Sequence, residues 1–387
     1  MVKAIKAMLI PNNVQKTKMF QYAGASRFAY NWALAREIEN YEKGGKFISD
    51  AELRKEFTKL RHSDEYAWLL SISNNVTKQA IKDACTAYKN FFKGLQKFPR
   101  FKSKKRSMPK FYQDNVKIQF SNTHVKFEGF SSSRKTNKQK MNWVRLAEHG
   151  RIPTDVKYMN PRISFDGLNW WISVCVEFPD CRETLNDDGV GIDLGIKDLA
   201  VCSDGTKYKN INKSQKVKKL EKQKRRLQRS ISRSYEKNKK GESYCKTNNV
   251  IKKEKLLLKR NHRLTNIRKN YLNQTISEIV NRKPRFICIE DLNVSGMMKN
   301  RHLSKAVQEQ GFFWFRKQLE YKCSDKGIQL IVADRFYPSS KLCSCCGNIK
   351  KDLKLSDRVY RCECGNMIDR DFQASINLKT YGEKFAS

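Results

Sequence analysis

At 387 residues the chain is long enough for two or three domains, each with its own core. Its 79 Lys and Arg against 39 Asp and Glu leave a net charge of +40, so nucleic acid is the expected partner, with an anionic membrane surface as the competing reading. No uninterrupted apolar run approaches about 18 residues and no signal-peptide core is visible, which argues against a spanning or secreted protein.

Val2–Ile10 reads as a strand closed by Pro11. A helical array follows over 13–97. Phe20, Ala23, Phe28, Trp32 and Ala35 recur near helical spacing, Ser49 with Glu52 has the form of a capping box, and 73–95 places Val76, Ala80, Ala84, Ala87 and Phe91 on one face. Residues 98–106 combine proline with five bases and read as a linker or strand entry. From 111 to 178 the texture turns to short β-rich runs (116–120, 143–146 and 170–178), with Asp166-Gly167 as a turn. The simplest architecture is a small β-barrel formed by 1–12 and 98–185, with the helices of 13–97 inserted between its first two strands. Tyr30, Trp32, Trp170 and Trp171 lie at helical or strand spacing and read first as core, not as stacking platforms.

Residues 190–201 form the next strand, with Asp204-Gly205 as a hairpin turn. Between 212 and 270 stand 22 Lys and Arg and 4 Asp and Glu, a surplus of +18. Leu220 and Leu227, then Leu257, Leu264, Ile267 and Tyr271, give narrow apolar seams, predicting two long helices joined near 238–248 with the bases outside. Residues 285–290 (RFICIE) are apolar on both faces and suit a central strand. A helix over 308–326, a strand at Gln329–Ala333 and a last helix over 371–379 complete the chain. Cys85, Cys175, Cys202, Cys288 and Cys323 lack paired spacing, as free thiols in a reducing cytoplasm would; Cys181 and Cys245 are isolated.

Two kinds of chemistry meet after residue 340. Cys343 and Cys346 form a C-x2-C step, Cys362 and Cys364 a C-x-C step, and fifteen residues separate them. Four thiolates in two close pairs suit one tetrahedral zinc ion, with Cys345 as the alternative to Cys346. None of the five histidines lies close to these thiols in sequence. The carboxylates are spread more widely. Asp193 sits in the strand Gly-Ile-Asp-Leu-Gly, where an acid among apolar neighbours is costly unless a cation offsets it. Glu290 ends RFICIE, at the edge where ligand sites of open α/β sheets collect. Asp371 opens the last helix, with Asp369 as its rival; both could instead be helix caps. If the two strands are neighbours and that helix crosses them, three acids converge on a site for two Mg²⁺ or Mn²⁺ ions.

With those residues in view, the chain resembles the transposon-encoded TnpB (OrfB) family, compact relatives of type V CRISPR effectors, over nearly its whole length. "RFAYNWALA" (27–35) and "FPRFKSKKR" (98–106) are similar to its amino-terminal signatures. "GIDLGIKDLAVCSDG", "ICIEDLNVSGM" and "DRDFQASINL" resemble its three RuvC motifs, and "YPSSKLCSCCG" with "YRCECGNMIDRD" resembles its ribbon. Two departures stand out: Gln373 where the family usually has Asn, and C-x-C in the second knuckle. The resemblance implies an RNA-guided DNA endonuclease of a transposon with catalytic, magnesium-binding Asp193, Glu290 and Asp371, and zinc on Cys343, Cys346, Cys362 and Cys364. Its partners would be a guide RNA transcribed from the element's end and double-stranded target DNA beside a short adjacent motif, in the cytoplasm of a prokaryote at the nucleoid. It implies an RNase H-like (RuvC) nuclease domain over 186–340 and 366–387, carrying the basic hairpin 212–282 and an inserted zinc ribbon at 341–365, beside the β-barrel wedge domain and its helical recognition module. The Asp, Glu, Asp order with a ribbon before the last acid disfavours an Asp-Asp-Glu transposase, and retention of all three acids disfavours a guide-dependent repressor that does not cut. The oligomeric state stays open, with a monomer as the working expectation.

Overall fold

The computed structural model describes residues 1–130, 141–179, 182–354 and 357–386, so Cys181 lies outside the described residues. The chain divides into two units, Met1–Pro179 and Asp180–Ser387.

The first unit is built on an antiparallel sheet. Strand β1 (Val2–Ile10) is followed by helices α1 (Asn13–Glu42), α2 (Asp50–Arg61) and α3 (Asn74–Phe92), and only then by β2 (Lys110–Tyr112), β3 (Gln119–Phe120), β4 (His124–Lys126), β5 (Trp143–Leu146), β6 (Tyr158–Phe165) and β7 (Trp170–Glu177). The spatial order is β2-β6-β7-β1-β5-β4-β3, so β1 lies between strands some 140 and 170 residues downstream. Strict alternation in β7 sends Trp170, Ile172, Val174 and Val176 inward, where period-2 patterning fixes the register. Of the run at 116–120 only Gln119 and Phe120 become strand.

Both α1 and α2 start from capping boxes, Asn12 with Gln15 and Ser49 with Glu52, each satisfying two backbone donors that the first turn leaves open. The packed face of α1 matches the expected one in part. Ala23 is buried and Phe28 and Trp32 pack partly buried against the core, whereas Phe20 and Ala35 are exposed; Met19, Tyr22, Ala29, Tyr30, Ala33 and Leu34 complete the buried face. In α3, Val76, Ala80 and Ala84 are buried as read, but Tyr88 takes the place assigned to Ala87 and Phe91. The two amino-terminal signature strings meet. Asn31 donates to the Lys102 carbonyl and accepts from the Lys102 N–H, both at 2.8 Å, and the Lys102 ammonium lies over the Tyr30 ring. Burial, with help from Lys110, brings the Lys102 amine down to about 7.

The second unit carries a mixed sheet in the order β10-β9-β8-β13-β14 and a basic helical hairpin. Residues 190–201 do not form one strand. They split into β8 (Val190–Leu194) and β9 (Asp198–Cys202), which pair antiparallel around the turn at 195–197, and β10 (Lys207–Lys209) returns after Asp204-Gly205. Helix α4 (Gln215–Lys237), the short strands β11 (Lys239–Lys240) and β12 (Ser243–Tyr244), and helix α5 (Asn248–Asn281) follow. Val217, Leu220 and Leu264 close the seam between the two helices. Strand β13 (Phe286–Glu290) then enters the middle of the sheet, buried over its first four residues, parallel to both β8 and β14 (Gln329–Ala333). Between them lie α6 (Val294–Lys299), α7 (Ser304–Gln310) and α8 (Phe312–Lys326). The single helix expected over 308–326 is broken at Gly311, whose φ of +70° ends α7 in a left-handed cap. The cysteine segment holds β15 (Val359–Arg361) and β16 (Met367–Asp369), and α9 (Arg370–Glu383) returns across the sheet. Among the described residues no helix is long and apolar enough to cross a membrane.

Candidate active site

The parallel register of β8 and β13 pairs Ile192 with Ile289, so the next residues, Asp193 and Glu290, stand side by side at the carboxyl edge. Glu290 in turn pairs with Ala333, the last residue of β14. Helix α9 lies directly on β8 because Gly191 has no side chain. A Cβ there would come within 2.1 Å of the Ser375 carbonyl oxygen and 2.4 Å of the Lys379 nitrogen. Gly191 and Asp193 share a strand face, and Asp371 is one turn before Ser375, so the same close packing brings Asp371 toward Asp193.

The charges respond to this crowding. Burial, then the neighbouring Glu290 and Asp371 charges, push the Asp193 carboxyl well above its ordinary range; Arg370 opposes them. Burial also raises Glu290, against a hydrogen bond donated by the Ser339 hydroxyl and the nearby Arg370 charge. Asp369 behaves differently. Burial works against its charge, but its carboxylate accepts the Asp371 and Phe372 N–H groups at 3.1 Å, Lys207 stands 3.4 Å away, and its pKa falls below the usual value. That is the signature of a helix N-cap. The three predicted acids thus share one electrostatic neighbourhood, although their oxygens are not all within 4.8 Å of one another; among the described residues only the cysteine cluster meets that spacing.

The cysteine Sγ atoms of residues 343, 346, 362 and 364 all lie within 4.8 Å of one another. The Cys343–Cys364 and Cys346–Cys362 separations are 3.6 and 3.5 Å, close to the roughly 3.8 Å edge of a tetrahedron with Zn–S bonds of about 2.3 Å. Cys345 is exposed and outside the cluster, which resolves the alternative in favour of Cys346. Asn366 donates to the Cys343 sulfur at 3.4 Å, an outer contact typical of structural metal sites.

Gln373 ties this cluster to α9. It is fully buried, donates to the Leu342 carbonyl at 2.6 Å, and accepts from Ser344 at 2.9 Å and Asn366 at 3.3 Å. One turn later Asn377 donates to Leu342 and Ser339, each at 2.7 Å. Ser339 and Asn366 have roles that sequence reading did not assign. Both lie inside ribbon strings matched as signatures, which was the only available signal.

On the hairpin, Lys218, Lys222, Arg225, Arg226 and Arg229 line one shallow, open concavity of α4, all exposed. Arg268 is held by Glu221 at 3.1 Å and Glu309 at 3.2 Å; of the segment's acids Glu221 is buried, whereas Glu236 and Glu242 are exposed.

The second unit thus combines a mixed α/β sheet, three acids in one electrostatic neighbourhood, a thiolate knuckle and a strongly basic helical hairpin. Comparison with known proteins agrees. The "Cas12f1-like, TNB domain" profile matches residues 312–378, the OrfB_IS605 profile ("Probable transposase") 173–301, and an OrfB_IS605 "Helix-turn-helix domain" profile 1–46. Residues 1–46 here form a strand and one 30-residue helix, not a helix-turn-helix. The "Putative RNA-guided DNA endonuclease InsQ" of Escherichia coli (strain K12) is 31% identical over 94% of this chain and 87% of its own length. A "Putative RNA-guided DNA endonuclease" of Streptomyces pristinaespiralis is 28% identical over 98% of this chain and 89% of its own. The cryo-EM structure of a Cas12f1-sgRNA-target DNA complex superposes with a TM-score of 0.56 at 13% identity, covering 98% of each chain. The fold is therefore of the Cas12f kind. The chain belongs to the TnpB (OrfB) family.

Proposed function

We propose that this chain is an RNA-guided DNA endonuclease whose cutting centre is Asp193, Glu290 and Asp371. The observation that carries the reading is the packing of α9 on Gly191, with the Glu290 and Asp371 charges both acting on the buried Asp193. The second unit, with its meander β10-β9-β8 followed by parallel β13 and β14, is read as the RNase H-like (RuvC) domain carrying an inserted ribbon at 341–365. The first unit is read as the wedge, its helices entering after β1 as a recognition module.

An all-carboxylate donor set suits hard divalent cations, and Asp193, Glu290 and Asp371 would hold two Mg²⁺ or Mn²⁺ ions. When bound, such ions supply an activated water and charge stabilisation of the leaving oxygen in phosphodiester hydrolysis. The chain's own part is placement. Ser339 orients Glu290, Asp369 caps the first turn of α9 that carries Asp371, and Arg370 offsets part of the excess negative charge. Cys343, Cys346, Cys362 and Cys364 would hold one structural zinc ion, cross-linking the short ribbon strands beside the buried Tyr360. A guide RNA from the transposon end would lie against the basic surface through its backbone, and base pairing would select the double-stranded DNA target.

The test is cleavage of a matched DNA target by the protein with the RNA that copurifies with it. Asp193→Ala, Glu290→Ala and Asp371→Ala should each abolish cutting and leave RNA binding intact. Normal cutting by Asp193→Ala would remove the assignment.

A further inference from the structure

The turn after β14 contains an inversion of ordinary burial. Phe336 is 87% exposed, whereas the next residue, Tyr337, is half-buried, packs on Tyr381 with ring centroids 4.7 Å apart, and donates its hydroxyl to the Asn377 carbonyl. The more apolar ring is outside and the ring with a hydroxyl inside, opposite to what burial alone would choose. The backbone imposes this. The Phe336 N–H donates to the Asp334 carboxylate at 2.8 Å and the Tyr337 N–H to the Asp334 carbonyl at 3.0 Å. The flanks of the turn are anchored at Glu290 and at its chain neighbour Asp291. Arg335 donates to Asp291 at 2.5 Å, and Ser339 donates to Glu290. Since Ala333 pairs with Glu290, the exposed ring begins only three residues beyond the acid's own partner on the sheet.

We propose that Phe336 is a stacking platform for a nucleobase of the DNA strand entering the acids. A single-stranded partner is favoured because an unpaired, unstacked base offers its face to the ring without the cost of unstacking a duplex step. The proposal rests on the nuclease reading, and it names how that site takes up its strand. Loss of base-on-ring stacking should weaken strand capture at least about tenfold.

The experiment uses full-length Asp193→Ala protein with a single-stranded oligodeoxynucleotide carrying 5-iodo-deoxyuridine, irradiated and mapped by mass spectrometry. Because this protein is designed not to cut, the mapping is independent of cleavage. The crosslink is expected on the peptide containing Phe336, lost in Phe336→Ala and kept in Phe336→Trp. In the otherwise native protein, Phe336→Ala should raise KM for DNA about tenfold with kcat, melting temperature and guide-RNA affinity unchanged. A crosslink elsewhere, one undiminished in Phe336→Ala, or capture of iodouridine-labelled guide RNA by this ring would overturn the proposal. If instead Asp193→Ala still cuts, the acids are misassigned while the crosslink stands or falls by itself.

Discussion

The Asn377 side chain donates to the Ser339 carbonyl at 2.7 Å, and the Ser339 hydroxyl donates to Glu290. Helix α9 therefore supplies one acid directly and steadies a second through a loop residue. Ser339→Ala removes a bond that favours the charged form of Glu290, so the Glu290 pKa should rise further. The acid limb of the cleavage pH profile should move to higher pH while the alkaline limb stays in place. An unmoved acid limb would show that the hydroxyl does not tune the carboxylate.

Asp193 and Glu290 both titrate above their unfolded values of about 3.8 and 4.5. The folded state without added divalent ions therefore binds more protons than the unfolded state. Stability from these groups is fully present below the unfolded pKa values and is lost as pH rises through the elevated folded ones. Thermal melting without magnesium should fall as pH climbs from the acid range toward neutrality. Asp193→Asn should flatten that slope, and added Mg²⁺ should raise the melting temperature of the native sequence more than that of the variant.

Gly191→Ala forces a methyl group into the α9 backbone. Overpacking of this kind costs about 1–3 kcal/mol, and backbone cannot yield as a flexible side chain would. Denaturant melts should show the loss in the second unit, with cutting reduced out of proportion because Asp371 moves with the helix. Normal stability would mean that α9 does not sit on β8.

Zinc content offers a separate check. Cys343→Ser or Cys362→Ser should lower the bound metal from one zinc ion per chain and loosen the ribbon. Gln373→Leu keeps the cysteines but leaves the Ser344 and Asn366 donors without their buried acceptor, at about 1–3 kcal/mol. It should speed zinc loss to a chelator and lower cleavage together. Chelator kinetics identical to those of the native protein would refute the tie.

Replacing Arg225 and Arg226 together by Ala should reduce the salt dependence of RNA binding. Each phosphate contact contributes about 0.7 to the slope of log affinity against log salt for a single strand, so the slope should shrink by about 1.4. An unchanged slope would place the RNA elsewhere.

Much of this was legible in the residues. RFICIE announced a central strand because both of its faces are apolar, and Asp193 stood out because an acid there has to be offset. Cysteine spacing picked the four clustered sulfurs, since tetrahedral geometry leaves few alternatives. Splits in elements were harder to see. Gly195 and Gly311 interrupt a strand and a helix that read as continuous, and a local pattern does not reveal where a chain must turn to meet a distant partner. On α1 the helical pattern finds Ala23, Phe28 and Trp32, but Phe20 and Ala35 share the spacing and stay exposed, because periodicity does not say which residues tertiary packing covers. Ser339, Asn366 and Gln373 act through contacts spanning 7 to 49 residues, and such contacts leave no periodic trace.

Helix α9 follows all five strands of its sheet in the chain. A ribosome partway through translation would therefore hold a polycation able to engage RNA before any cutting centre exists. Synthesis order alone would then load the guide first and arm the blade last.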